Sequence, residues 1–237
     1  DILGEAYQWI LSYFAPQKAK EGEVYTPREV IKLMVRLLDV ENGSTVLDPA
    51  AGSAAMLIES YKYVKSKLIQ KGEEPAEPDL MLYAQERNEI TAVLAKLNLL
   101  LNNIRDFELH VGDSLLNPRF PEADYVLANP PWNQDGYGEE VLSKDPKLRR
   151  IYRYGYPPNN TADWAWIQLM LAYTKKKMAV VIDQGVLFRG GREKEIRKRI
   201  VEDDLLEAVI LLPEKLFYNT QAPGVILVFN KQKPPER

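Results

Sequence analysis

The chain has 237 residues, 46% of them hydrophobic and 27% charged, enough for one large α/β domain or two small ones. With no Cys and one His, His110, it has no disulfides, thiolate metal sites, Cys nucleophiles or His-pair zinc motifs, and little basis for a His-centred triad. A net charge of −3 argues against a strongly basic nucleic-acid-binding surface but leaves room for a local patch, no secretory signal is expected from the N-terminal pattern, and there is no apolar run of the roughly 18 residues a membrane span needs.

Residues 1–14 (DILGEAYQWILSYF) carry apolar residues near helical spacing and predict a helix, followed by a polar connection over 15–25. The missing initiator Met suggests a piece of a longer chain. Thr26-Pro27 reads as a helix start, continued by EVIKLMVRLLDV to about residue 39. A short strand at 45–47 ends at Asp48-Pro49, and 53–71 predict a helix. MLYAQE (81–86) is a strand, 88–102 a Leu- and Ala-rich helix, and FELHVGD (107–113) and DYVLAN (124–129) are strands. From 134 to 161 the pattern breaks down into Gly, Pro, Tyr and charges, with Gly136 and Gly138 suggesting mobility. ADWAWIQLMLAY (162–173) predicts a helix, MAVVID (178–183) a strand, 191–202 a charged helix, and LLEAVILL (205–212) and GVILVFN (224–230) the last strands. Strands alternating with helices predict an α/β fold with a mostly parallel sheet covered on both faces. The last two strands lack a helix between them, so one antiparallel edge strand is expected.

In such folds functional residues gather at the carboxyl ends of the strands. Four predicted strand ends carry an acid or amide: Asp48, Glu86, Asp113 and Asn129. In VLDPAAGSAAML (46–57) a strand ends in an acid, turns tightly through Gly52 and enters a helix, which brings backbone close to a ligand at a helix N-terminus. With one Gly and no Lys-Ser/Thr it suits a diphosphate poorly, and Asp48 suits a ligand carrying an ammonium group. Its structural reading is a turn capped by Ser53. Glu86 can accept from both hydroxyls of a ribose. Asp113 can accept from an adenine amino group, or simply cap a turn beside Ser114.

VLANPPWNQ (126–134) differs in kind. Pro130 and Pro131 stop the strand and make its end rigid. The Asn129 side-chain oxygen and the Pro130 carbonyl are two acceptors able to converge on an exocyclic NH₂ and direct its lone pair at an electrophile. Trp132 offers a flat face on which a base can stack. Two further stretches are ambiguous. Residues 144–157 (KDPKLRRIYRYGYP) interleave basic residues with Tyr, as a nucleic-acid contact or a solvated loop would. GGREKEIRKRIVEDD reads as a solvated helix face. Trp164 and Trp166 cannot share a helix face, so one of them is expected in the core.

These motifs together resemble the amino-directed DNA methyltransferases that use S-adenosylmethionine. NPPW is similar to their catalytic motif, VLDPAAGSAAML to their cofactor loop and VYTPREVIKLMVRLL to their upstream cofactor motif. DILGEAYQWIL, EVYTPREV, NNTADWAWIQ, DQGVLFRGG and LPEKLFYNTQAPG narrow the resemblance to the modification subunit of type I restriction–modification systems, over essentially the whole chain. The resemblance implies a Rossmann-like methyltransferase fold, N6-adenine methylation of double-stranded DNA in a prokaryotic cytoplasm, S-adenosylmethionine as cofactor with no metal, and specificity and restriction subunits as partners. It implies a single catalytic domain with a helical lead-in over about 1–40, and without that subunit's N-terminal helical domain or C-terminal tail. By position, Glu23, Val24, Tyr25, Thr26, Pro27 and Arg28, then Ser53, Ala54, Ala55 and Glu86, fall where the family binds the cofactor. Asp48 and Asp113 match its acids near the methionine ammonium and the adenine. Asn129, Pro130, Pro131 and Trp132 form the catalytic set, and Phe217 or Tyr218 is a candidate to stack on the target base opposite Trp132. Where the family often has Cys at 51, Gly at 54 or 55 and Phe at 56, this chain has Ala51, Ala54, Ala55 and Met56. Methylation of a protein glutamine or RNA guanine, and a catalytically silent scaffold binding DNA or a partner, are the alternatives.

Overall fold

The computed structural model describes residues 26–217 and 220–235 and, nearer the N-terminus, residues 2, 3, 5, 6 and 9, which are helical. The rest of the lead-in lies outside the described residues, and Glu23, Val24, Tyr25 and Tyr218 with it. The elements in chain order are α1 (Arg28–Leu38), β1 (Ser44–Asp48), α2 (Ala55–Gln70), β2 (Leu80–Glu86), α3 (Glu89–Leu101), β3 (Phe107–Val111), β4 (Ala123–Ala128), a short α4 (Glu139–Leu142), α5 (Asp163–Tyr173), β5 (Thr174–Asp183), α6 (Arg192–Glu202), β6 (Leu206–Leu211) and β7 (Gly224–Asn230).

The seven strands form one sheet in the order β3-β2-β1-β4-β5-β7-β6. All neighbours are parallel except β7, which runs antiparallel to both β5 and β6. The expected antiparallel strand is therefore present, but it lies one place in from the edge, and β6 is outermost. Successive strand residues point to opposite faces, and here both faces are dry. Val126, Ala128, Met178, Val180 and Ile182 join a core with α5 and the segment 142–154. Tyr125, Leu127, Ala179 and Val181 join a second core with α1, α2 and α3. Burial on both sides explains why these strands read as unbroken apolar runs. Each buried Val, Leu, Ile or Met among them contributes roughly 1.5–3 kcal/mol on removal from water.

The helices follow the same logic. α1 buries Val30, Ile31, Met34, Val35 and Leu38 along one stripe, against α2 and β5. α5 is buried all round, Trp164 and Trp166 both included. No described helix is long and apolar enough to cross a membrane. The direction of winding reverses between the parallel neighbours β1 and β4: from β1 the order runs outward through β2 and β3, and from β4 it runs the other way through β5. The crevice above the carboxyl ends of β1 and β4 is thus the topological switch point, where ligands bind in open α/β sheets.

Candidate active site

The switch point holds a cleft enclosing about 1100 Å³, its open mouth included. Three of its acids stand at or just after consecutive strand ends. Asp48 closes β1, Glu86 closes β2 and Asp113 follows β3. Asn129 and Pro131 line the cleft from the end of β4, and Thr26, Gly52, Ser53 and Ala55 line it as well. The residues expected from four separate strand ends thus meet in one place.

Asp48 is 2% exposed, and its Oδ1 accepts from the Ala50 N–H at 3.0 Å. Burial pushes its carboxyl up to about 8, against the Ala50 hydrogen bond, with the neighbouring Glu86 adding to the rise. A buried acid in that state suits a cationic ligand, which would restore its charge. Glu86 braces the loop: Oε2 accepts from Gly52 N–H at 2.9 Å and Oε1 from Asn88 N–H at 3.1 Å. Each carboxylate oxygen has a second lone pair for a hydroxyl donor. Asp113 Oδ1 accepts from Leu115 N–H at 3.0 Å, and Oδ2 from the Tyr137 hydroxyl at 2.5 Å. Tyr137 in turn accepts from Arg87 Nη1 at 3.1 Å. Burial, reinforced by Asp113, raises the Tyr137 phenol to about 12, so it stays a donor.

The turn that begins at Asn129 is held from both sides. The Asn129 Nδ2 donates to Thr26 Oγ1 at 2.7 Å, and its Oδ1 accepts from Trp132 Nε1 at 2.8 Å. Beyond the prolines, Asn133 adopts a left-handed φ of 52°. Its N–H donates to Asp163 Oδ1 at 2.8 Å, and its Nδ2 to Asp183 Oδ2 at 2.7 Å. Asp163 is fully buried and is paired with Arg189 Nη2 at 2.7 Å. Arg189 also bonds Glu193 at 2.8 Å and reaches Asp183 at 3.5 Å. Breaking such a buried pair from one side costs about 3–5 kcal/mol, so the turn is set on a stiff base.

Several sequence expectations are corrected here. Thr26 does not cap α1: the N-cap is Pro27, without a side-chain bond, and the Thr26 hydroxyl serves Asn129 instead. Pro27 is buried at that cap, and Arg28 turns away to Glu59 at 3.6 Å, so neither lines the cleft. Ser53 does not cap α2 either. The N-cap is Ala54, left-handed at φ 67° and fully buried beneath the loop, and the Ser53 carbonyl accepts from Asn98 at 2.8 Å. Pro130 is buried, and Trp132 is half-buried beside the turn rather than in the cleft lining. Phe217 is 3% exposed with its ring edge-on to Trp132 at 4.9 Å, so in this arrangement it supports the indole and shows no face to a base.

The segment 134–161 is anchored rather than loose. Gly136 N–H donates to the Asn159 carbonyl at 2.9 Å, and Tyr137 is tied to Asp113. In the basic stretch Tyr152 and Tyr154 turn inward at 3% and 7% exposure and belong to the core, and Tyr156 is half-buried against it. The sequence reading missed Arg87, Tyr137, Gln134 and Trp166. Gln134 and Trp166 line the cleft, joined by a Trp166 Nε1 to Gln134 Oε1 bond of 3.1 Å. The one available signal was the position of Arg87 next to a strand-end acid.

The family model for N-6 DNA methylase matches residues 1–237. The methylase subunit of the type I restriction enzyme MjaVII of Methanocaldococcus jannaschii is 60% identical over 245 residues, covering 100% of this chain and 41% of that protein. The MjaVIII methylase subunit of the same organism is 55% identical over 249 residues, again covering 100% and 41%. The crystal structure of the type I restriction-modification system methyltransferase subunit from Streptococcus thermophilus matches with a TM-score of 0.85 at 30% identity, covering 98% of this chain and 50% of that one. The chain thus spans about two fifths of the length of the curated relatives it matches. It belongs to the N-6 DNA methylase family.

Proposed function

We propose that this chain is the catalytic domain of a type I modification subunit, moving a methyl group from S-adenosylmethionine to the exocyclic nitrogen of adenine in duplex DNA. The observation that carries the reading is the placement of Asn129 at the end of β4, beside a cleft whose acids follow β1, β2 and β3. Partners would be a specificity subunit, which reads the sequence, and a restriction subunit. Cellular DNA as substrate would place the assembly in the cytoplasm of a prokaryote.

The cleft's chemistry fits the cofactor. A buried, uncompensated carboxyl at Asp48 favours the methionine ammonium, the free lone pairs of Glu86 favour ribose hydroxyls, and Asp113 favours the adenine amino group. The first turn of α2, which no side chain caps, contributes Ala55 and Met56 to the lining and favours a carboxylate. When bound, the sulfonium supplies an electrophilic methyl group, so the protein's work is positioning.

That work falls to Asn129 and the turn around it. The substrate base must leave the helical stack to reach a site at this depth. Asn129 Oδ1 then accepts a hydrogen bond from one amino N–H, and the Pro130 carbonyl accepts one from the other. Held by both, the nitrogen directs its lone pair at the methyl donor. Thr26 and Trp132 fix the amide so that its oxygen is the group presented. The test uses the full-length subunit assembled with its specificity partner, labelled S-adenosylmethionine and unmethylated duplex. Mass spectrometry of the digested nucleosides should find the label on N6-methyl-2′-deoxyadenosine. Label on cytosine, on protein or nowhere would overturn the reading.

A further inference from the structure

The strand order decides from which side a substrate meets the catalytic turn. Asp48, Glu86 and Asp113 follow β1, β2 and β3, all on one side of β4. The methyl acceptor must come from the opposite side, over β5. Ala128 pairs with Val180, so Asn129 is level with Val181. The loop that starts at Gln184 stands three residues further along, roughly 10 Å at the rise of a strand.

This loop is fastened at both ends to the catalytic turn. Its first anchor is Asp183, which accepts from Asn133 Nδ2 at 2.7 Å. Its second is Arg189, whose Asp163 partner holds the Asn133 N–H. Between them lies a tight turn, Gln184–Leu187, with Val186 fully buried beneath it. Phe188 caps this rigid mount with 66% of its surface exposed. Among the described residues, the other exposed aromatic is Trp9, far away in sequence, whereas Phe217 is buried under Trp132. A phenylalanine held outward between two anchors, on the acceptor's side of the site, matches the apolar wedges that proteins insert between base steps.

We propose that Phe188 is such a wedge: it enters the duplex beside the target nucleotide and fills the space left as the base leaves the stack. The inference rests on the reading of the chain as an adenine methyltransferase. It assigns Phe188 a DNA-contacting role, not a part in methyl transfer itself.

The experiment compares parent, Phe188→Ala and Phe188→Trp in the complete modification complex, on two duplexes. One is fully paired; in the other an abasic site faces the target adenine, so no pairing holds the base in and extrusion costs less. Phe188→Ala should transfer methyl groups to the paired duplex about tenfold more slowly or worse, and to the abasic duplex at close to the parental rate. Phe188→Trp should stay within a few-fold of the parent on both. Because the side chain is exposed, thermal unfolding should not separate the variants. Equal rates for Phe188→Ala and parent on the paired duplex overturn the wedge, as does an equal defect on both duplexes. A parent that labels adenine in neither duplex overturns the methyltransferase reading and the wedge with it.

Discussion

The hydroxyl of Thr26 accepts a 2.7 Å hydrogen bond from the side-chain amide of Asn129, 103 residues away in the sequence. The contact joins the start of α1 to the end of the central strand, and it makes the amide a fixed fixture instead of a free rotor. Because Trp132 occupies the oxygen from the other side, both ends of the amide are specified.

Thr26→Val keeps the shape of the side chain and removes the acceptor. The lost hydrogen bond is worth about 0.5–1.5 kcal/mol. Methyl transfer at saturating cofactor should therefore fall roughly three- to tenfold, and Thr26→Ser should restore it. Single-turnover kinetics check this. A rate equal to the parent's would show that the amide is oriented without Thr26.

The buried Asp48 predicts a pH dependence with a definite sign. Its carboxyl, raised to about 8 by burial, holds its proton through the range where an unfolded Asp has lost it. The folded protein then binds one more proton than the unfolded chain between about pH 4 and pH 8, and stability falls across that window as pH rises. Cation binding works in the opposite direction, since it favours the ionised form. Cofactor affinity should rise by up to about tenfold per pH unit toward pH 8 and then level off. Asp48→Asn should bind weakly with a flat profile. Calorimetry from pH 6 to pH 9 measures both, and a flat parental profile contradicts the assignment.

Ala54 occupies a left-handed position at φ 67°, fully buried. Ala54→Gly relieves about 1–2 kcal/mol of backbone strain. It also loses about 0.8 kcal/mol of methyl burial and adds about 0.5–1 kcal/mol of chain entropy to the unfolded state. The terms nearly cancel, so the glycine variant should unfold within about 0.5 kcal/mol of the parent in urea. Ala54→Val, β-branched at the same φ, should lose about 2 kcal/mol or more. A large gain in Ala54→Gly would mean that the loop is more strained than its geometry implies.

What the sequence made legible was set by how local the signal is. The strands were readable because burial on both faces leaves unbroken apolar runs, as in Met178–Ile182. The polar start of β5 was not: Lys175, Lys176 and Lys177 look like loop, yet they extend the strand, with Lys177 reaching the Leu37 carbonyl at 2.8 Å and Glu207 at 2.9 Å. The four strand-end residues could be named because the fold class says where strand ends converge. Their supports could not. The Thr26 cap signal is sound local chemistry that a distant Asn129 overrides. The Arg189–Asp163 pair links a helix start to a loop 26 residues on, and no periodicity announces it. Both Trp164 and Trp166 are core because α5 is enclosed on all sides, which a one-face argument does not anticipate.

In the proposed reaction Asn129 orients the acceptor nitrogen and does little for the cofactor. The direct measurement takes Asn129→Ala in the complete complex and records two quantities on the same preparation: S-adenosylmethionine affinity by calorimetry and single-turnover methyl transfer to cognate duplex. Affinity should stay within about twofold of the parent while transfer falls about a hundredfold or more, the scale for losing a positioning contact on a reacting group. Transfer at the parental rate, or a loss of transfer matched by an equal loss of cofactor affinity, would contradict the account.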